Sequence, residues 1–261
     1  MATGQLSAYN YGTTLSNLPD VIIISQFISV MGVKFSEISA SRERDVLFGE
    51  LRYFGNHLFF FMSGVAVILS LLSPVMIGFF YGKENLGEAT YATAVLTLTV
   101  VSGTLAFKSL DGLHNRVFAS LQALSVLMKY TVPLKIANIG LLLLLSWKFG
   151  FNGILIQQTA LAFIMMALQF YLFGKYLPSE KVRKYAGEIV LLFIGSVMVY
   201  GLGRLLMDYV FAHTSAAVQT AVICLLLFLA GILFEKIFKV TMLFDTVLKR
   251  LSVFFMQRRV K

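Results

Sequence analysis

Apolar runs of about 20 residues, separated by short clusters of charge, set the first limit on how this chain folds. Seven such runs lie at roughly 13–33, 55–80, 89–108, 126–147, 151–174, 186–206 and 216–237. Each is long enough to cross a hydrocarbon layer of about 30 Å as a helix rising about 1.5 Å per residue. Only 13% of the residues are charged and 58% are hydrophobic; a soluble domain carries about 25% charge. Alternating ten-residue strands are absent, which excludes an outer-membrane barrel. The expected class is therefore all-α: a polytopic helical membrane protein with about seven transmembrane helices.

The distribution of basic residues orients these spans. Of 22 Lys and Arg residues, only Lys83, Lys148 and Arg204 fall on one side, leaving 19 on the other. The positive-inside rule then places the N-terminus outside and the C-terminus in the cytoplasm. The same asymmetry accounts for the net charge of +9 without nucleic acid. An N-terminus outside with no signal peptide before the first span leads to the expectation that earlier helices belong to the protein.

Cofactor chemistry has no foothold. Cys224 is the single cysteine, and His57, His114 and His213 lie far apart without metal-ligand spacing. No phosphate-binding glycine loop or nucleophile elbow is present, so no cofactor and no enzymatic activity are expected.

The first run carries a polar stripe. On a wheel of 100° per residue, Ser7, Asn10, Thr13, Thr14, Asn17 and Asp20 fall within an arc of about 140°, with Leu15, Leu18, Pro19 and Ile22 largely opposite. Pro19 removes a backbone donor and bends the helix. Polar groups at membrane depth face protein or water. The stripe therefore lines a water-filled substrate cavity, or it sits at the outer interface or bonds between helices. Elsewhere, Glu188 and Glu235 near cytoplasmic helix ends are expected to snorkel. Arg204 and Asp208 read as an exposed i, i+4 pair, Lys135 as either cavity-facing or snorkelling, and Trp147 as an interfacial anchor. Residues 241–261 form a basic amphipathic segment suited to the anionic cytoplasmic leaflet, or to a protein partner.

The order of several motifs resembles the MurJ/MviN lipid II flippase family. "GQLSAYNYGTTLSNLP" is similar to the start of that family's eighth helix, "LLSPVMIGFFYGKE" (71–84) to the end of the next, and "RVFAS" (Arg116–Ser120) to its Arg-Ala-Phe-Tyr-Ala step. Asn138 and "FGFNGILI" (149–156) match features of the following two helices. The resemblance implies the C-terminal half of a multidrug/oligosaccharidyl-lipid/polysaccharide exporter fold. Residues 1–179 would be the flippase lobe with about five helices, 180–240 two additional helices, and 241–261 the cytoplasmic tail, with an N-terminal lobe missing. It further implies a bacterial cytoplasmic-membrane location and a polyprenyl-pyrophosphate-linked saccharide as cargo, with Asn10, Thr14 and Asn17 as hydrogen-bonding cavity groups and Asp20 as a cation or proton site. Thr14 and Asn17 stand where the best-known members have Arg and Glu. A related lipid-linked oligosaccharide is therefore the alternative to lipid II. A MATE-like drug or cation antiporter lobe, or a non-transporting membrane partner or truncated product, are the competing expectations.

Overall fold

The computed structural model describes residues 4–41 and 43–209. The seventh expected span, the basic tail, Cys224, His213 and Glu235 lie outside them. Among the described residues every regular element is helical. Five helices are long and apolar enough to cross a membrane, and a broken pair makes a sixth. The protein is thus an all-α polytopic membrane protein, as its apolar runs dictate.

The chain opens with α1 (Gln5–Pro19), passes through a π-helical turn at Asp20–Ile24, and continues as α2 (Ser25–Ala40). Pro19 offers no N–H, and the wider turn is closed by the Ser25 N–H bonding to the Asp20 carbonyl. Together these 36 residues extend about 54 Å at the α-helical rise, far more than a hydrocarbon layer. The helix therefore begins well before the expected residue 13. Next come α3 (Arg44–Leu71), a break at Leu72, α4 (Ser73–Tyr81) with Pro74 in its first turn, and the short α5 (Lys83–Leu86).

The third expected span, 89–108, differs most. It is α6 (Glu88–Ser102) followed after Gly103 and Thr104 by α7 (Leu105–Ser120), the two bent by 41°. Residues 109–120, which lie between the third and fourth expected runs, are helix. Leu110, Leu113, Val117 and Phe118 recur at helical spacing, and all four are fully buried. The remaining spans, α8 (Leu124–Phe149), α9 (Phe151–Tyr176) and α10 (Ser179–Tyr209), match the expected runs 126–147, 151–174 and 186–206 to within a few residues, apart from an earlier start of α10.

Packing divides these helices into two tiers. The larger core joins α2, α3, α7, α9 and α10 through Phe35, Phe59, Met62, Phe118, Phe173 and Tyr185. A smaller core joins α1, α4 and α6 through Ala8, Leu15, Ile77, Ala94 and Leu98. Its closest approach is at Gly12, where a Cβ would stand 2.6 Å from Thr97 Cβ and 2.8 Å from the Leu98 nitrogen. Only glycine lets α1 and α6 lie that near.

Candidate functional site

Once Ala8, Gly12, Leu15 and Ser16 turn toward the protein, the wheel fixes the rest of α1. Asn10, Thr14 and Asn17 are exposed along the opposite side, and Asp20 is half-buried where the helix widens. Thr13, at the edge of this stripe, returns its hydroxyl to the Tyr9 carbonyl at 2.9 Å. The four residues singled out from the sequence thus share one side of one continuous helix. Asp20 acts electrostatically on Lys108 of α7, which extends the stripe onto a second element.

That extension was not anticipated. Lys108, Asp111, Asn115 and Arg116 recur at i, i+3, i+7 and i+8 and occupy about 140° of α7, while Leu110, Leu113 and Val117 are buried behind them. Asn115 Nδ2 donates to Asp111 Oδ2 at 3.3 Å. Lys135 of α8 acts on the same carboxylate, and the Arg116 stem lies over Gly32 of α2. From the sequence, Lys108 and Arg116 are among the 19 basic residues of the cytoplasmic side, and Lys135 is open between cavity and interface. All three belong to one polar surface that carries these cations and the carboxylates Asp20 and Asp111. The signal available in the sequence was the helical spacing of polar residues from 108 to 116.

Behind this surface runs a chain of buried polar groups. Gln169 of α9 directs its amide nitrogen to Asp111 Oδ1. A carboxylate only accepts, so the amide oxygen is left for His114, 2.9 Å from Nδ1. His114 Nδ1–H therefore donates to Gln169, and its Nε2, 3.1 Å from the Tyr185 hydroxyl, accepts from α10. Tyr185 in turn occupies the space a Cβ at Gly55 would need. His114, Gln169 and Tyr185 are fully buried, so each bond exchanges solvent for a protein partner.

Glu188 corrects another expectation. Rather than snorkelling, its side chain is 13% exposed and bridges to α3. Arg52 Nε donates to Oε2 at 2.7 Å, a second guanidinium nitrogen donates to Oε1, and Asn56 Nδ2 donates to Oε2 at 2.8 Å. The partners are 136 and 132 residues away in sequence, so no local pattern could disclose them. Trp147, by contrast, is 89% exposed at the end of α8, where an interfacial anchor belongs.

Neither a scan against protein-family models nor a search of curated proteins returns a match. Among solved structures, the chain is similar to "Lipid II flippase MurJ, inward closed conformation", with a TM-score of 0.66 and 18% identity. The similarity covers 90% of this chain and 47% of that one. The chain therefore shares the helical membrane fold of part of that flippase and spans about half of its length.

Proposed function

We propose that this chain is a transporter, one lobe of a flippase that carries a polyprenyl-pyrophosphate-linked saccharide across a bacterial cytoplasmic membrane. The cargo would be lipid II or a related lipid-linked oligosaccharide for cell-wall or surface-polysaccharide synthesis. The observation that carries this reading is the polar surface formed by Asn10, Thr14, Asn17 and Asp20 with Lys108, Asp111, Asn115, Arg116 and Lys135. Such groups on membrane-crossing helices are stable when they face water or protein rather than lipid. A second, N-terminal lobe would close that surface into a cavity. In it, Asn10, Thr14 and Asn17 would bond the sugar, Lys108, Arg116 and Lys135 would offset the diphosphate charge, and Asp20 would take a cation or proton. No bond in the cargo is made or broken; the protein lowers the barrier for a polar headgroup to pass hydrocarbon. The N-terminus would lie outside and the basic C-terminal segment on the anionic cytoplasmic leaflet.

A second reading, a lobe of a MATE-like drug or cation antiporter, is favoured by Asp111, a carboxylate on a crossing helix held by Gln169 and Asn115.

Rescue separates these readings. The complete gene is placed in one strain depleted of its lipid II flippase and in another blocked in export of a lipid-linked surface polysaccharide. Rescue of either supports the flippase and identifies its cargo. Rescue of neither, with drug resistance or cation efflux gained, moves the assignment to the antiporter. In the rescuing strain, Asn17→Leu should reduce rescue at least tenfold at unchanged membrane levels. Full rescue by this variant would return the stripe to an interfacial role.

A further inference from the structure

A cavity of about 360 Å³ lies where α3, the α6–α7 break, α9 and α10 meet. Its volume is more than twice the ~150 Å³ of an engineered apolar cavity that admits benzene, so it can hold a length of chain. Ala66, Val67, Phe107, Phe163, Phe193 and Val197 supply an apolar lining.

The wall also contains hydroxyls, and apart from those of Ser63 and Tyr200 their protons are already committed. Ser70 donates to the Thr99 carbonyl at 3.0 Å, Thr99 to Val95 at 2.9 Å, and Thr104 to Val101 at 2.7 Å. Thr159 donates to Leu155 at 3.0 Å and Ser196 to Leu192 at 2.8 Å. These five hydroxyls have no proton left for a polar occupant, so a polar guest would find few donors to replace those it leaves in water. Hydrocarbon loses none.

The cavity's position selects the source of that hydrocarbon. Ala106 and Phe107 line it from the side of α7 opposite Lys108, Asp111, Asn115 and Arg116. It therefore lies away from the polar surface. Phe163 and Val197, 41% and 51% exposed, stand at its edge on two membrane-crossing helices.

We propose that this cavity binds one acyl chain of a bilayer phospholipid, inserted against the Gly103–Thr104 break. The prenyl tail of the cargo is not its occupant. The assignment requires the membrane setting and is independent of what the protein transports.

The chain's single tryptophan, Trp147, makes a fluorescence test possible. The double variant Trp147→Phe, Phe193→Trp places the reporter at the cavity wall, and the unmodified protein is the lipid-bathed control. Both are reconstituted into phosphatidylcholine vesicles in which a rising fraction of lipid carries brominated acyl chains. A reporter touching one chain loses fluorescence in direct proportion to the brominated fraction. One touching several loses it more steeply at first, because any neighbour suffices. Position 193 should give the proportional curve and the control the steep one. Adding Ala66→Phe, or Val197→Phe if the first fails to fold, should fill the cavity and remove at least half of the quenching. The proposal is overturned by an unquenched reporter, which means that protein fills the space, or by a steep curve at position 193. Quenching that survives in a folded filled variant also overturns it. So does recovery of fluorescence when a few per cent of unlabelled polyprenyl phosphate is added, which would assign the site to the cargo's tail.

Discussion

Replacing Gln169 by Leu cuts the buried polar chain at its middle. Two hydrogen bonds disappear, one to the Asp111 carboxylate and one from His114. A bond to a charged group contributes about 1.5–3 kcal/mol and a neutral one about 0.5–1.5 kcal/mol. Asp111 is only half-buried and keeps Asn115, so its loss falls at the low end. His114 is fully buried, and its Nδ1–H is left with no acceptor, which adds desolvation cost. The expected destabilisation is about 2–4 kcal/mol. Reversible unfolding of the purified protein in mixed micelles measures it, with circular dichroism as the signal. His114→Leu alone should cost a similar amount, because it strands the Gln169 oxygen and the Tyr185 hydroxyl. The double variant should fall short of additivity by at least about 1 kcal/mol, since neither member then leaves the other unpaired. Destabilisation of Gln169→Leu by less than about 0.5 kcal/mol, or strict additivity in the cycle, would refute a connected chain.

Two further substitutions probe the packing between helices. Gly12→Leu forces side-chain atoms into the space held by Thr97 and Leu98, and should cost about 1–3 kcal/mol in the same unfolding assay. Gly12→Ala should cost less, and no change in either variant would contradict the close approach of α1 and α6. Glu188→Leu leaves Arg52 without its carboxylate, a loss of 3–5 kcal/mol for a fully buried pair. Because Arg52 is 38% exposed and can be resolvated, about 1–2 kcal/mol is expected. Converting both residues to Met should recover most of that stability.

What the sequence discloses follows hydropathy. Residues 124–149 and 151–176 are apolar along most of their length, and the helices found there begin and end within two residues of the runs. The stripe on α1 was legible because its polar residues keep one helical register; of the residues expected opposite it, Leu15 faces inward while Leu18 and Ile22 are exposed. Charge inside a helix defeated the same reading. Arg44, Asp45, Glu50 and Arg52 placed the start of α3 eleven residues late, because an isolated run gives no hint that Arg52 meets Glu188 across the fold. On α7 the expected run stopped at residue 108, because the charged and polar residues from 108 to 116 interrupt its hydropathy where the structure continues as an amphipathic helix. His114 appeared as one of three scattered histidines. Its role depends on Gln169 and Tyr185, 55 and 71 residues away.

The boundary between the two tiers has a mechanical consequence. Three chain connections join the two cores, and each is interrupted on the way: at the π-turn Asp20–Ile24, at Leu72, and at Gly103–Thr104. The unbroken α9 runs beside both, with Gln158 bonding Tyr9 of α1 and Gln169 bonding Asp111 of α7. The regular i→i−4 ladder that stiffens a helix is disturbed at all three places, while the apolar cores on either side are closely packed. Bending compliance is therefore concentrated at one level of the lobe. A tilt of the α1–α4–α6 triplet on these three knuckles would have to release the Gln158–Tyr9 bond to α9, and α1 would carry Asn10, Thr14 and Asn17 with it while Lys108, Asp111 and Arg116 stay with the larger block. A tilt of this kind would change the spacing between the two halves of the polar surface without disturbing the interior of either core.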